Sequence, residues 1–335
     1  MRRRGRGGAP IALLGVALAC SSGGGGSGGD SATAEITPAN AEAISSEVLL
    51  GLELSAELST LPAGLVLAEV GPALASSPAA GTTPPRIVGG TVGAAATTPI
   101  GPTTEDCTAS GTVTFSGQRA EVDAPSVNDR LNLDYAQCDE GNGDPVLDGS
   151  LDSVVVAIAG DLASDLFALR LDVTFGNFVQ TSAAEEIESN GAATASYDAR
   201  TPPQKKSFLA GPSMTLRKNS DTIELQNFDN SLIQQNAEQA VGGHGLLTSL
   251  DMPPVFVGSV SYDTVKPITP GHEDDTVDDE LAAGEFIMGG DLLITGVSNA
   301  TIRLVELTDP NVELIVTDAG GQQTTLDTTW SALLD

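Results

Sequence analysis

From residue 107 onward, apolar side chains recur at every second position, and a period of two commits this part of the chain to strands. Leu169, Leu171, Val173 and Phe175 alternate with Arg170, Asp172 and Thr174, which predicts a strand over Leu166 to Phe175 with one face buried. Shorter alternations fall at Thr112–Phe115, Leu131–Tyr135 and Gly149–Ile158. Others fall at Ala192–Tyr197, Met214–Arg217, Thr222–Leu225, Val255–Tyr262 and Glu285–Ile287. The last stretch is the plainest. Asp291–Thr295, Ala300–Leu307, Val312–Thr317 and Thr324–Thr329 are separated by four-to-six-residue turns rich in Gly, Asn, Asp and Pro. Turns that short force antiparallel pairing, so these segments form a meander. Trp330, Leu333 and Leu334 then cap it.

A different period precedes the strands. Leu50, Leu54, Leu58 and Leu61 lie on one stripe at helical spacing, with Ile44, Val48 and Leu52 beside it. Thr37 is the expected N-cap and Pro38 the first helical residue; Pro62-Ala63-Gly64 is the expected break. A second apolar piece runs from Leu65 to Leu74. Residues 76–106, rich in Pro, Gly, Ala and Thr, read as a linker. A phrase beginning with Gly recurs at Gly111, Gly149, Gly191 and Gly258. Its intervals of 38, 42 and 67 residues are unequal, which excludes a fixed-period solenoid and leaves duplicated β units as the reading.

The N-terminus reads as an export signal. Arg2, Arg3, Arg4 and Arg6 precede a short uncharged apolar run, Ile11 to Ala19, too short to span a bilayer. Ala17-Leu18-Ala19-Cys20 follows, then Ser21. Here the chain resembles the lipobox signal peptides of bacterial lipoproteins, with Ala17 where that family usually has Leu. The resemblance implies cleavage before Cys20, a diacyl group on its sulfur and an acylated amino terminus. Several acyl chains together give stable membrane attachment. Ser21, rather than Asp, implies sorting to the outer membrane of a Gram-negative cell. The other reading is a secretory signal cleaved after Ala17-Leu18-Ala19. The Gly/Ser run within residues 21–31 is a flexible tether. The whole order, from lipobox through helix and strands to Thr328-Thr329-Trp330-Ser331, resembles uncharacterised bacterial lipoproteins and implies no activity.

Charge excludes one class of partner. Without the arginines of residues 1–19, 11 basic residues face 45 acidic ones, a net charge of −34. Such a surface repels nucleic acid and anionic lipid. Beyond Cys20, the remaining cysteines are Cys107 and Cys138. In an oxidising compartment they read as one disulfide, worth about 3–4 kcal/mol in the chain-entropy account; two buried thiols are the alternative.

Catalytic patterns fail on context. Gly25-Gly26-Ser27-Gly28-Gly29 matches the hydrolase G-x-S-x-G, but lies in the tether, without the strand and helix that pattern needs. Arg86-Ile87-Val88-Gly89-Gly90 resembles the activated terminus of trypsin-like proteases, yet no matching nucleophile loop follows. One Trp and three Tyr offer little for stacking sugars, which weakens a glycosidase reading of any carboxylate pair. With only His244 and His272, a Cys/His metal site is not expected. Asp274, Asp275, Asp278 and Asp279, near His272 and Glu273, are hard oxygen donors and the candidates for Ca²⁺; a solvated acidic loop is the competing reading. Asp139-Glu140-Gly141-Asn142-Gly143-Asp144 reads as a polar turn. Arg200, Lys205, Lys206, Arg217 and Lys218 read either as a receiving patch for an acidic partner or as charges that offset acidic neighbours. Gly242-Gly243-His244-Gly245 reads as a flexible loop.

The expected fold is mainly β. It is a large antiparallel sheet (meander, sandwich or curved half-barrel) with an N-terminal helix packed on it. The expected organisation is a signal peptide over 1–19, a tether over 20–35, a helical segment over 36–75, a linker over 76–106 and a β domain over 107–335, with a division near 200–207 as one option. The expected role is that of a non-enzymatic envelope lipoprotein without cofactor, structural or binding. The alternative is a carrier that holds an amphiphile between sheet and helix.

Overall fold

The computed structural model describes residues 32–68, 98–120, 125–141, 143–161, 166–235, 238–251, 254–268, 290–308 and 311–334. The chain divides into two units, Met1–Asp30 and Ser31–Asp335, and all the described residues belong to the second.

A helix, α1 (Ala41–Ala68), precedes fourteen strands: β1 (Thr98–Asp106), β2 (Ser110–Arg119), β3 (Arg130–Asp139), β4 (Val146–Asp161), β5 (Leu166–Thr181), β6 (Glu186–Thr201), β7 (Gln204–Lys218), β8 (Asp221–Gln235), β9 (Glu238–Ser249), β10 (Ser259–Lys266), β11 (Asp291–Thr295), β12 (Thr301–Thr308), β13 (Asn311–Thr317) and β14 (Gln323–Thr329). A short helix, α2 (Trp330–Leu334), ends the chain. The strands form one open sheet in strict sequence order, each antiparallel to the next. Of the expected forms, the meander is the one observed. Residues 200–207 lie in the β6–β7 hairpin of this continuous sheet.

Antiparallel order gives the sheet two ends. Thr181–Glu186, Lys218–Asp221, Ser249–Ser259 and Thr295–Thr301 turn at one of them. Thr33 and Ala34 enter here, both N–H groups donating to the Ser259 carbonyl, so we call it the entry end. Asp161 and Leu166, Thr201 and Gln204, and Lys266 and Asp291, the strand ends on the other side, lie at the far end.

Helix α1 is buried on most of its circumference. Ile44, Val48, Leu49, Leu52, Leu54 and Leu58 are almost fully enclosed, while Ser46, Leu50, Glu53 and Glu57 form the single wetter stripe. A helix apolar nearly all round needs partners on several sides. It has them: β5 to β9 contact one side, β12, β13 and α2 another, so the sheet curls about the helix. Gly51 marks the closest crossing. A Cβ there would lie 2.9 Å from Leu247 Cδ1 and 3.1 Å from Ile223 Cδ1.

A crease of β-bulges bends the long strands. Pairing shifts register between Tyr135 and Cys138, Phe175 and Phe178, and Gln226 and Asp229. Each bulge inserts residues and changes which parity faces inward. In β5, Phe167 to Phe175 point inward at odd positions, and beyond the bulge Phe178 does so. The recurring glycines sit on this crease. Gly111 (φ 79°), Gly149 (φ 89°) and Gly191 (φ 137°) adopt left-handed backbone. A Cβ on Gly149 would lie 2.1 Å from the Asn177 carbonyl oxygen. The repeated phrase thus marks bulges, which require glycine; Gly258 is instead the point where Thr33 passes close by.

Several expectations are corrected. Asn40, not Thr37, caps α1: its carbonyl accepts the Ile44 N–H, and its Oδ1 accepts from Thr37 N at 2.8 Å. Pro62 does not end the helix, which continues to Ala68. A proline removes only the bond to the carbonyl four residues back, and the buried face holds the helix through it. Part of the expected linker is strand β1. Gly242–Gly245 lies within β9 rather than in a loop. The expected strand over 255–262 begins only at Ser259. Residues 285–287 lie outside the described residues.

Candidate functional site

Glu47 is the one acid of α1 that is almost wholly enclosed, at 5 % exposure. It lies one turn beyond Ile44, on the part of the helix that crosses the entry end of β8 and β9. Opposite it is Asp251, just past β9. Asp251 Oδ1 accepts the Thr222 N–H at 2.6 Å, and its Oδ2 accepts from Ser249 Oγ at 3.4 Å. Burial, then the charges of Asp251 and Asp221, push the Glu47 carboxyl up to about 8. A protonated Glu47 donates a hydrogen bond toward Asp251, while its Oε2 has no partner among the described residues. Near neutral pH the Glu47 carboxyl therefore holds its proton. Glu47 is enclosed between helix and sheet, whereas general acid catalysis needs contact with the reacting group.

A second buried group joins three elements. Asn230 Nδ2 on β8 donates to Ser55 Oγ of α1 at 2.8 Å, and Tyr262 OH on β10 donates to Asn230 Oδ1 at 3.0 Å. Ser55 Oγ bonds back to the Gly51 carbonyl at 2.7 Å. Burial raises the Tyr262 phenol, so it remains a donor. The β9 glycines make room for this network. A Cβ at Gly243 would lie 2.2 Å from Asn230 Oδ1, and one at Gly245 would lie 2.8 Å from the Tyr262 oxygen.

The residues singled out from the sequence disperse. Cys107 and Cys138 form a disulfide, with Cα atoms 5.5 Å apart, tying the β1–β2 turn to β3. Glu140 lies beside it and accepts from Thr108 N at 3.2 Å. Sulfurs bonded to each other are no thiolate ligands, so this grouping is not a metal centre. His244 is exposed on β9, opposite Asp229 and Asp263 on the flanking strands, with no nucleophile among its cross-strand partners. The basic set splits between the two ends. Arg217 pairs with Glu186 at 2.8 Å and Glu188 at 2.6 Å, and Lys218 with Glu185 at 3.0 Å, at the entry end. Arg200, Lys205 and Lys206 flank the far-end β6–β7 turn, where Arg200 holds the Asp198 carboxyl down at about 2. Five residues therefore do not make one receiving patch, and three of them offset acidic neighbours. Cys20, His272, Asp274, Asp275, Asp278 and Asp279 lie outside the described residues.

Neither Glu47 nor the Asn230 network stood out in the sequence. The available signal was an acid amid the apolar positions of α1, and an Asn and a Tyr at inward strand positions. No protein family, curated protein or solved structure matches this chain.

Proposed function

We propose that the protein is a cell-envelope lipoprotein, attached through Cys20, with a structural or binding role and no catalysis of its own. The observation that carries the reading is Cys20 at the end of Ala17-Leu18-Ala19, behind a short uncharged run and a basic start. The Cys107–Cys138 disulfide supports it, because such bonds persist outside the reducing cytoplasm. The buried polar groups also support a non-enzymatic role: Glu47, Ser55, Asn230 and Tyr262 hold α1 to the sheet and are enclosed by it. Sorting to the outer membrane is part of the proposal and follows from Ser21.

The amphiphile carrier requires space between helix and sheet. At the α1 crossing, Gly51 lies against Leu247, Ile223 and Leu225, which favours a filled interface there. Among the described residues no helix is long and apolar enough to cross a membrane, so the acyl group is the proposed means of attachment. Metabolic labelling with palmitate tests the anchor: label on the wild type and none on Cys20→Ser is expected, and an unlabelled wild type overturns it. Mass spectrometry of lipids co-purified with the delipidated chain tests the carrier, whose case requires a stoichiometric lipid.

A further inference from the structure

Seven large apolar side chains are exposed among the described residues, and four gather at the entry end: Leu250, Val255, Val257 and Val297. Leu250 and Val255 flank Asp251 in the β9–β10 connection, where Leu250 N–H donates to the Thr222 carbonyl and Val255 N–H to Ser249 Oγ. Val257 is 81 % exposed and adjoins Gly258, whose Cα faces Thr33 so closely that a Cβ would lie 2.7 Å from its Oγ1. Val297 N–H donates to the Ala34 carbonyl at 2.8 Å. Two of the four thus flank the segment through which the chain enters the fold. Of the other three, Val127 lies in the β2–β3 connection, and Leu166 and Val265 lie toward the far end, at the start of β5 and near the end of β10.

We propose that this valine-rich entry end rests on a lipid bilayer, its apolar side chains lying in the headgroup region. The inference rests on the Cys20 anchor proposed above. Eleven residues separate Cys20 from Ala32. Fully extended, a chain of that length reaches at most about 40 Å, so an acylated Cys20 would keep the entry end within reach of the membrane. Exposed clusters of apolar residues are costly in water unless they meet a partner, and the surface that the tether brings nearest is lipid. Charge selects the kind of lipid. Leu250–Gly258 and Gly296–Asn299 carry Asp251 and no Lys or Arg. In a chain this acidic, contact with anionic headgroups is repulsive, so the surface suits zwitterionic lipid and owes nothing to electrostatic attraction.

The test uses the full lipidated chain in phosphatidylcholine vesicles. Val257→Cys gives a single thiol for an environment-sensitive nitrobenzoxadiazole dye, since Cys107 and Cys138 are bonded and Cys20 is acylated. Val265→Cys, 59 % exposed at the far end, is the matched control. Expected are blue-shifted emission at position 257 and quenching by headgroup-level spin-labelled lipid severalfold stronger than at position 265. Equal, water-like emission at both positions on vesicle-bound chain overturns the contact and leaves the anchor standing. A wild type that carries no acyl group and does not float with vesicles overturns both. Val257→Asp distinguishes lipid contact from chance proximity: it should lower dye quenching at position 255, introduced as Val255→Cys. Undiminished quenching there refutes an apolar contact.

Discussion

Replacing Glu47 with Gln should remove the pH dependence that this one side chain confers. The folded state holds the Glu47 proton to about 8 against a usual value of 4.5. Between those limits the native chain binds more protons than the unfolded chain, so stability falls as pH rises. The loss is complete above the folded value and absent below the unfolded one. At about 1.4 kcal/mol per unit, the interval from about pH 5.5 to about pH 8.5 takes in roughly 2.5 units and costs the wild type on the order of 3 kcal/mol. Gln keeps the shape and the donor toward Asp251 but cannot ionise. Glu53 and Glu57 are also shifted upward by burial and contribute with the same sign. The difference between wild type and variant cancels them. Urea unfolding of both proteins across that range should therefore give a Glu47→Gln stability gain that grows by about 3 kcal/mol from the acid to the alkaline side. A gain that stays constant with pH would refute the upward shift of the buried Glu47 carboxyl.

Other substitutions probe the remaining contacts. Gly51→Leu should lower stability by about 2–3 kcal/mol in thermal melts, because Leu247 and Ile223 occupy the space. Gly51→Ala should stay within about 1 kcal/mol, as gained helix propensity offsets a small shift of Leu247 Cδ1. Tyr262→Phe leaves Asn230 Oδ1 buried without its donor and should cost about 1–3 kcal/mol by denaturant titration. Changing Cys107 and Cys138 together to Ser releases a loop with a sequence separation of 31 and should cost about 3–4 kcal/mol, with faster hydrogen exchange confined to β1–β3. Gly149→Ala should cost at least about 2 kcal/mol, since its φ of 89° and the Asn177 carbonyl oxygen 2.1 Å from the new Cβ both oppose it.

The alternation that announced the sheet also concealed its length. The strand expected over Leu166 to Phe175 stops where the bulge changes the inward parity of β5, and the observed strand continues to Thr181. Likewise, the expected strand over Thr222 to Leu225 ends just before the Gln226–Asp229 bulge, six residues short of Ser231 and ten short of the end of β8. A period-two reading restarts at each such shift, so one bent strand looks like a strand and a loop. Strand β1 escaped for another reason. It is exposed on both faces, so no alternation was imposed on it. The disulfide was legible from the expectation of export and from the two cysteines left beyond Cys20. Glu47 was not, because its character comes first from burial and then from Asp251 and Asp221, residues more than a hundred and seventy positions away.

The strict sequence order of the strands bears on how the chain assembles as it is synthesised. Each strand needs only its predecessor in order to pair, so the sheet can zip from one side as residues emerge, hairpin after hairpin. Helix α1 emerges earlier than every strand that covers it, and its first covering strand begins about a hundred residues later, at Leu166. Through that interval Ile44, Val48, Leu52 and Leu58 have no sheet to shelter them. The segment most in need of a holding partner during biogenesis is therefore the one that ends up most enclosed.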